Sequence, residues 1–168
     1  LAPAHGQRFP SAGAPTYRAA ISAARRSCDV VVLHVPRALD EIALAGFEVK
    51  QINFSEMDPG VIKAFHLHRR QTDVWFVPPD DRMLIVLLDC RAGSPTENAL
   101  RRIVLGDGAA RLVRIPPGVA HGVRNLAPTR GRIIYFVDTH FSPDPNVSDE
   151  GRLPWDFAGV DVWEPTRG

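Results

Sequence analysis

GVIKAFHLH, residues 60–68, is the stretch on which the fold turns. Apolar and β-branched residues run through it at strand length. Because a strand repeats every two residues, His66 and His68 leave the same face and their imidazoles converge. Working outward, the chain after Phe47 is a succession of similar runs: FEVKQINFSE (47–56), DVWFVPP (73–79), RMLIVLLDCR (82–91), RRIVLGDG (101–108), ARLVRIPP (110–117), HGVRNLAP (121–128) and GRIIYFVDTHF (131–141). Pro, Gly or Asp clusters separate them at roughly the 8 to 12 residue spacing of sandwiches and barrels. No helical pattern alternates with them, which argues against a parallel βαβ sheet. An all-β barrel is expected.

Before Phe47 the pattern is different. Residues 1–15 are rich in Pro, Gly and Ala with nothing periodic to bury, and are expected to form a mobile arm ahead of a single domain over 16–168. YRAAISAARRS (17–27) and ALDEIALAG (38–46) read as short helices on either side of a strand, DVVVLHV (29–35). The Pro- and Asp-rich tail from about residue 142 is expected to wrap the barrel irregularly.

The composition narrows the function classes. With 20 basic and 19 acidic side chains in 168 residues there is no bulk positive charge to hold a nucleic acid. The apolar runs are too short to cross a bilayer as helices, so no membrane partner is expected. Cys28 and Cys90 form no metal or disulfide pattern, and the first residues lack the charged and apolar regions of a secretory signal; a reducing cytoplasm fits best.

A second stretch, PPGVAHGVRN (116–125), sets Pro116, Gly118, His121 and Asn125 at a fixed spacing. Together with Gly60, His66, His68 and the acid Asp73, it resembles the two signature motifs of the cupin family, in the right order. The resemblance implies a double-stranded β-helix, or jelly-roll barrel, with short peripheral helices. Two chemical readings stay open. Imidazoles and a carboxylate on facing strands suit a divalent transition metal held by His66, His68, Asp73 and His121. Alternatively His66 is a general base, with His68 lining the cavity and His121 binding substrate.

A narrower resemblance runs from about Val49 to Trp163. KQINFSEMDPGVIKAFHLH (50–68), IPPGVAHGVRNL (115–126) and DEGRLPWDFAGVDVW (149–163) are similar to segments of the dTDP-4-dehydrorhamnose 3,5-epimerase family, with Gln51, Asn53, Ser55, Gly60 and His66 matching. These are metal-free cupins that epimerise 4-keto-6-deoxy sugar nucleotides, and the resemblance implies no cofactor. It makes His66 the base that removes a proton α to the ketone and Asp161 its carboxylate partner. Gln51, Asn53, Lys63, His68, His121, His140 and Phe141 become substrate-binding positions. A small-molecule substrate, a nucleotide sugar, is implied, as is a homodimer that exchanges DVVVLHV.

This sequence departs from that family at three points. Phe141 in DTHFSP occupies the place of the tyrosine that donates a proton to the opposite face, and a phenyl ring cannot do so. Alternation along YFVDTHF sends His140 and Asp138 to one face and Tyr135, Thr139 and Phe141 to the other. Thr72, Asp73, Val74 and Trp75 stand where an enolate-steadying lysine is expected, and Lys63 replaces an arginine. The expectation is a sugar-nucleotide epimerase or isomerase, including a single-site one, that abstracts a proton α to a ketone with His66 as base; the alternatives are a metal-dependent cupin and a non-catalytic small-molecule-binding cupin. His34 reads as a packed strand residue, and Trp75, Trp155 and Trp163 as core or stacking residues. Arg69, Arg70, Arg111, Arg114 and Arg124 suit either a phosphate-bearing ligand or a solvated face.

Overall fold

The structure is a computed structural model that describes residues 46–144 and 146–165 and the backbone of residues 31–34. The expected arm over 1–15 and the helices over 17–27 and 38–46, apart from Gly46, lie outside the described residues. The strand expected at 29–35 is β1 (Val31–His34). The eight runs after Phe47 become β2 (Gln51–Met57), β3 (Ile62–His68), β4 (Asp73–Phe76), β5 (Arg82–Asp89), β6 (Leu100–Gly106), β7 (Arg111–Ile115), β8 (Val119–Asn125) and β9 (Gly131–Val137).

Two five-stranded antiparallel sheets result, in the orders β1-β7-β4-β9-β2 and β10-β3-β8-β5-β6, where β10 is Glu150–Arg152. This is the expected jelly roll. Inward residues of both sheets make the core, with Met57, Trp75, Ile85, Leu87, Val113 and Ile133 in one buried cluster. β5 reads RMLIVLLD because both of its faces are covered: Met83, Ile85 and Leu87 point to that cluster, while Leu84 and Val86 pack outward.

What covers the outer face is the tail. A 3₁₀ turn, Val160–Trp163, lays Val162 and Trp163 over Phe65, Leu84, Val86 and Ala120. Trp163 is 1% exposed, and burying such a ring contributes on the order of 3 kcal/mol. Gly122 of β8 is required here, because a Cβ at that position would meet Ala64 Cβ at 2.4 Å and the Trp163 ring at 2.7 Å. The tail is thus more regular than the sequence predicts. β10 pairs antiparallel with β3, matching Glu150 to His68 and Arg152 to His66, and so satisfies backbone groups that an open edge would leave to water.

Two local features set the inward residues of β3 and β8. Between Lys63 and His66 the β3 register gains one residue over β8, a bulge after which His66 stands opposite His121. At the start of β8, Gly118 takes a φ of +80°, and its N–H donates to the His68 carbonyl at 2.7 Å, tying the two histidine segments together.

Candidate active site

A cavity of about 650 Å³ opens between the sheets, a size that suits a small organic ligand. Strand alternation decides what faces it. From one sheet come Gln51, Asn53 and Ser55 of β2, Asp73 and Trp75 of β4, and Ile133, Tyr135 and Val137 of β9; from the other come His66 and His68 of β3, His121 of β8, and Glu150 and Arg152 of β10. Lys63 lines it as well, its Nζ on Ser55 Oγ at 2.5 Å.

The three imidazoles stack. The His121 ring lies between the other two, 6.1 Å from His66 and 5.5 Å from His68, and Trp75 meets it edge-on at 5.1 Å. His121 is 2% exposed, and its Nδ1 donates to the Val119 carbonyl at 2.9 Å, which leaves the lone pair on Nε2. Burial lowers its pKa, against the pull of Asp73, whose Oδ2 is 3.6 Å from Nε2. Asp73 accepts from Gln71 Nε2 at 2.8 Å and from Trp75 Nε1 at 3.0 Å.

Gln71 is positioned by acids outside the sheet. Asp149 Oδ2 accepts from the backbone N–H groups of Arg70 and Gln71, at 2.8 Å each, and Asp138 accepts from Thr72 N at 2.9 Å. The turn between β3 and β4 is thereby pinned to the tail and to the end of β9.

His66 has its own surroundings. Burial and the neighbouring His121 bring its pKa down to about 4, so it is a neutral acceptor at neutral pH. Its Nδ1 lies 3.4 Å from Glu150 Oε1, at the long end of hydrogen-bond range. Across the cavity, Tyr135 is half-buried, and burial together with the Asp73 charge raises its pKa, keeping the phenol protonated. A neutral imidazole from one sheet and a protonated phenol from the other thus line the same cavity.

Comparison with known proteins bears directly on this site. A family model described as dTDP-4-dehydrorhamnose 3,5-epimerase matches residues 34–161. The chain belongs to that family. It is an epimerase-like member of the isomerases. It is 43% identical over 106 residues to the spore coat polysaccharide biosynthesis protein SpsL of Bacillus subtilis, covering 63% of this chain and 68% of that one. It is 32% identical over 104 residues to the probable low-salt glycan biosynthesis epimerase Agl13 of Haloferax volcanii, covering 61% and 65%. Among solved structures, a dTDP sugar isomerase from Desulfovibrio desulfuricans superimposes with a TM-score of 0.63 at 25% identity, over 82% of this chain and 89% of that one.

Within this epimerase family frame, most of the sequence-predicted positions meet in the cavity: Gln51, Asn53, Lys63, His66, His68, His121, His140 and Phe141 all line it. Asp161 does not. It sits exposed in the 3₁₀ turn, whose orientation is set by Val162 and Trp163 packing on the outer face of the sheet. The carboxylate beside His66 is Glu150 instead. The expected four-residue metal set also changes: the compact donor group is His68, Asp73 and His121, and His66 turns to Glu150.

The alternation expected along YFVDTHF fails because β9 ends at Val137. Thr139, His140 and Phe141 then follow as a loop that lines the cavity together, and Phe141 N donates to Gln51 Oε1 at 3.0 Å. Tyr135 and Glu150 are cavity residues that the sequence reading did not assign to the site. Tyr135 had a readable signal, since Ile133, Tyr135 and Val137 share one face of a strand. Glu150 had none beyond its charge.

Proposed function

We propose that this chain epimerises a keto sugar nucleotide through His66 and Tyr135. His66 takes a proton from a carbon α to the ketone, the electron pair moves onto the carbonyl oxygen, and Tyr135 delivers a proton to the opposite face of the same carbon. The supporting observation is that these two groups line one cavity from opposing sheets. Inversion needs an acceptor and a donor on opposite sides of a planar intermediate. With Tyr135 present, Phe141 has no need to be the donor and serves as an apolar wall.

Glu150 orients the His66 ring and favours the tautomer with its lone pair toward the substrate. Lys63 and Arg152 supply positive charge at the cavity for a diphosphate, and Gln51 and Asn53 supply polar contacts for the sugar. A cytoplasmic homodimer is part of the same reading. Its supports are the free, exposed thiol of Cys90 and the exposed outward side chains Ile52 and Phe54 on the edge strand β2.

Solvent deuterium exchange tests the chemistry. Wild-type protein in heavy water should incorporate deuterium at a carbon next to the ketone of a dTDP-4-keto-6-deoxy sugar, and His66→Asn should reduce the rate by about 10³-fold or more. A wild-type protein that exchanges nothing into any 4-keto sugar nucleotide overturns the proposal.

A further inference from the structure

A single carboxylate oxygen in the cavity wall has two claimants. Glu150 Oε1 lies 2.5 Å from Arg152 Nη2 and 3.4 Å from His66 Nδ1. The topology puts all three together: Glu150 and Arg152 leave the same face of β10, two residues apart, and Arg152 stands opposite His66 in the pairing with β3. The two contacts are unequal. The guanidinium is in close ion-pair contact, whereas the imidazole is beyond the usual N–H···O range of about 2.7–3.2 Å. Behind burial and His121, which lead in lowering the His66 pKa, Arg152 lowers it further, Glu150 alone raises it, and His68 adds the smallest push downward.

Arg152 is the least enclosed of the three. Its side chain is 65% exposed, against 23% for Glu150 and 27% for His66. An ion pair this open to water is weakly held. A diphosphate carries more charge than a carboxylate, and its oxygens can take a guanidinium through two parallel hydrogen bonds. Arg152 lines the cavity, as does Lys63, which already reaches Ser55.

We propose that Arg152 is a positioning residue that switches the base: in the free protein it holds Glu150, and a diphosphate at the cavity draws it away, leaving Glu150 Oε1 to His66 Nδ1. This rests on the epimerase reading. The His66 tautomer with its proton on Nδ1 and its lone pair on Nε2 is then fixed only when the nucleotide end of a substrate is in place. A keto sugar without a diphosphate meets a base that is not set. The nucleotide thus serves the chemical step as well as binding.

The test separates the two halves of the substrate. Deuterium exchange is followed for an intact dTDP-4-keto-6-deoxy sugar and for the methyl glycoside of the same keto sugar, with and without inorganic pyrophosphate. In wild type, pyrophosphate should raise exchange into the glycoside by about tenfold or more. Without pyrophosphate, Arg152→Met should exchange the glycoside about tenfold faster than wild type, and gain less than about twofold from its addition. With the intact nucleotide sugar this variant should raise KM by about tenfold or more and change kcat by less than about threefold. An arginine that only bound diphosphate would leave the glycoside rate alone, and one that only supported the fold would lower every rate.

Nitrogen-15 spectra of the His66 ring, assigned by their loss in His66→Asn, read the switch without turnover. Pyrophosphate should move wild type to the Nδ1–H tautomer, which Arg152→Met should show from the start. A wild-type glycoside rate that pyrophosphate leaves unchanged, or one that Arg152→Met slows, overturns the switch, while turnover of the intact sugar keeps the epimerase reading. Absence of exchange into every substrate removes that reading, and the His66 tautomer then decides the switch alone: moved by pyrophosphate it stands, unmoved it falls.

Discussion

Asp73 and Asp89 are both buried carboxylates at the end of a strand, 3% and 5% exposed, yet they are built in opposite ways. Asp89 is saturated. It receives Arg91 Nε at 2.8 Å and Nη2 at 2.7 Å, Ser94 Oγ at 2.7 Å, Thr96 Oγ1 at 2.6 Å and the Arg91 backbone N–H at 3.0 Å. Asp73 takes two neutral N–H donors and otherwise faces an imidazole lone pair. The first arrangement holds down the loop after β5. The second keeps acceptor capacity in reserve beside a cavity. Burial alone does not mark a functional carboxylate; the completeness of its donors does.

The largest effect is expected on the cavity side. Tyr135→Phe removes the phenolic proton while keeping the ring against Trp75, and should slow epimerisation by about 10² to 10⁴-fold while deuterium exchange at the His66 face persists. Full epimerisation by this variant, followed by NMR of the product, would return the donor role to another residue.

On the saturated side, Asp89→Asn leaves a guanidinium and two hydroxyls without their charged acceptor, and should cost about 2–4 kcal/mol in urea unfolding. The activity of the folded fraction should not change. The Asp89 carboxyl is held well below the ordinary value of 3.8, chiefly by the Arg91 side chain. A depressed folded pKa contributes stability above the unfolded value and loses it as pH falls through the folded one. The gap between wild type and Asp89→Asn should therefore be full at pH 7 and narrow below about pH 3.8. A gap that stays constant down to pH 2 would contradict the charge-based account.

Glu150→Gln keeps the strand pairing and removes the charge beside His66, with about a tenfold loss of exchange rate expected. The charge of Glu150 supports the protonated form of His66, so the acid limb of the rate profile should move to lower pH in this variant. A limb that moves upward would break the pairing. The smallest effect is expected at the cavity carboxylate: Asp73→Asn should cost about 1 kcal/mol in urea unfolding, because the amide gains a contact to the His121 lone pair but sets one N–H against a donor, Trp75 Nε1 or Gln71 Nε2, while no charged partner is lost. A loss as large as that at Asp89 would erase the distinction between the two carboxylates.

The legible parts of the fold were those governed by short periods. β2 to β9 follow the runs read from the sequence, and His66 and His68 share a face because alternation is local. β5 could be read as buried on both faces from its uninterrupted apolar run. Glu150 was invisible because its place beside His66 comes from pairing between residues 66–68 and 150–152, far apart in the chain. Asp161 misled for the reverse reason. Its segment resembles the family's closing stretch, but Trp163 and Val162 carry that segment to the outer face.

By itself, the sequence determined a β-barrel with three histidines converging in it, since strand period and turn residues are properties of neighbouring positions. Only the tertiary structure decided which acid attends which imidazole, that Tyr135 and His66 line one cavity from different sheets, and that His68, Asp73 and His121 come together as a group. The physical reason is that such contacts cross between sheets, and their distances are set by the packing of the whole barrel rather than by any spacing along the chain.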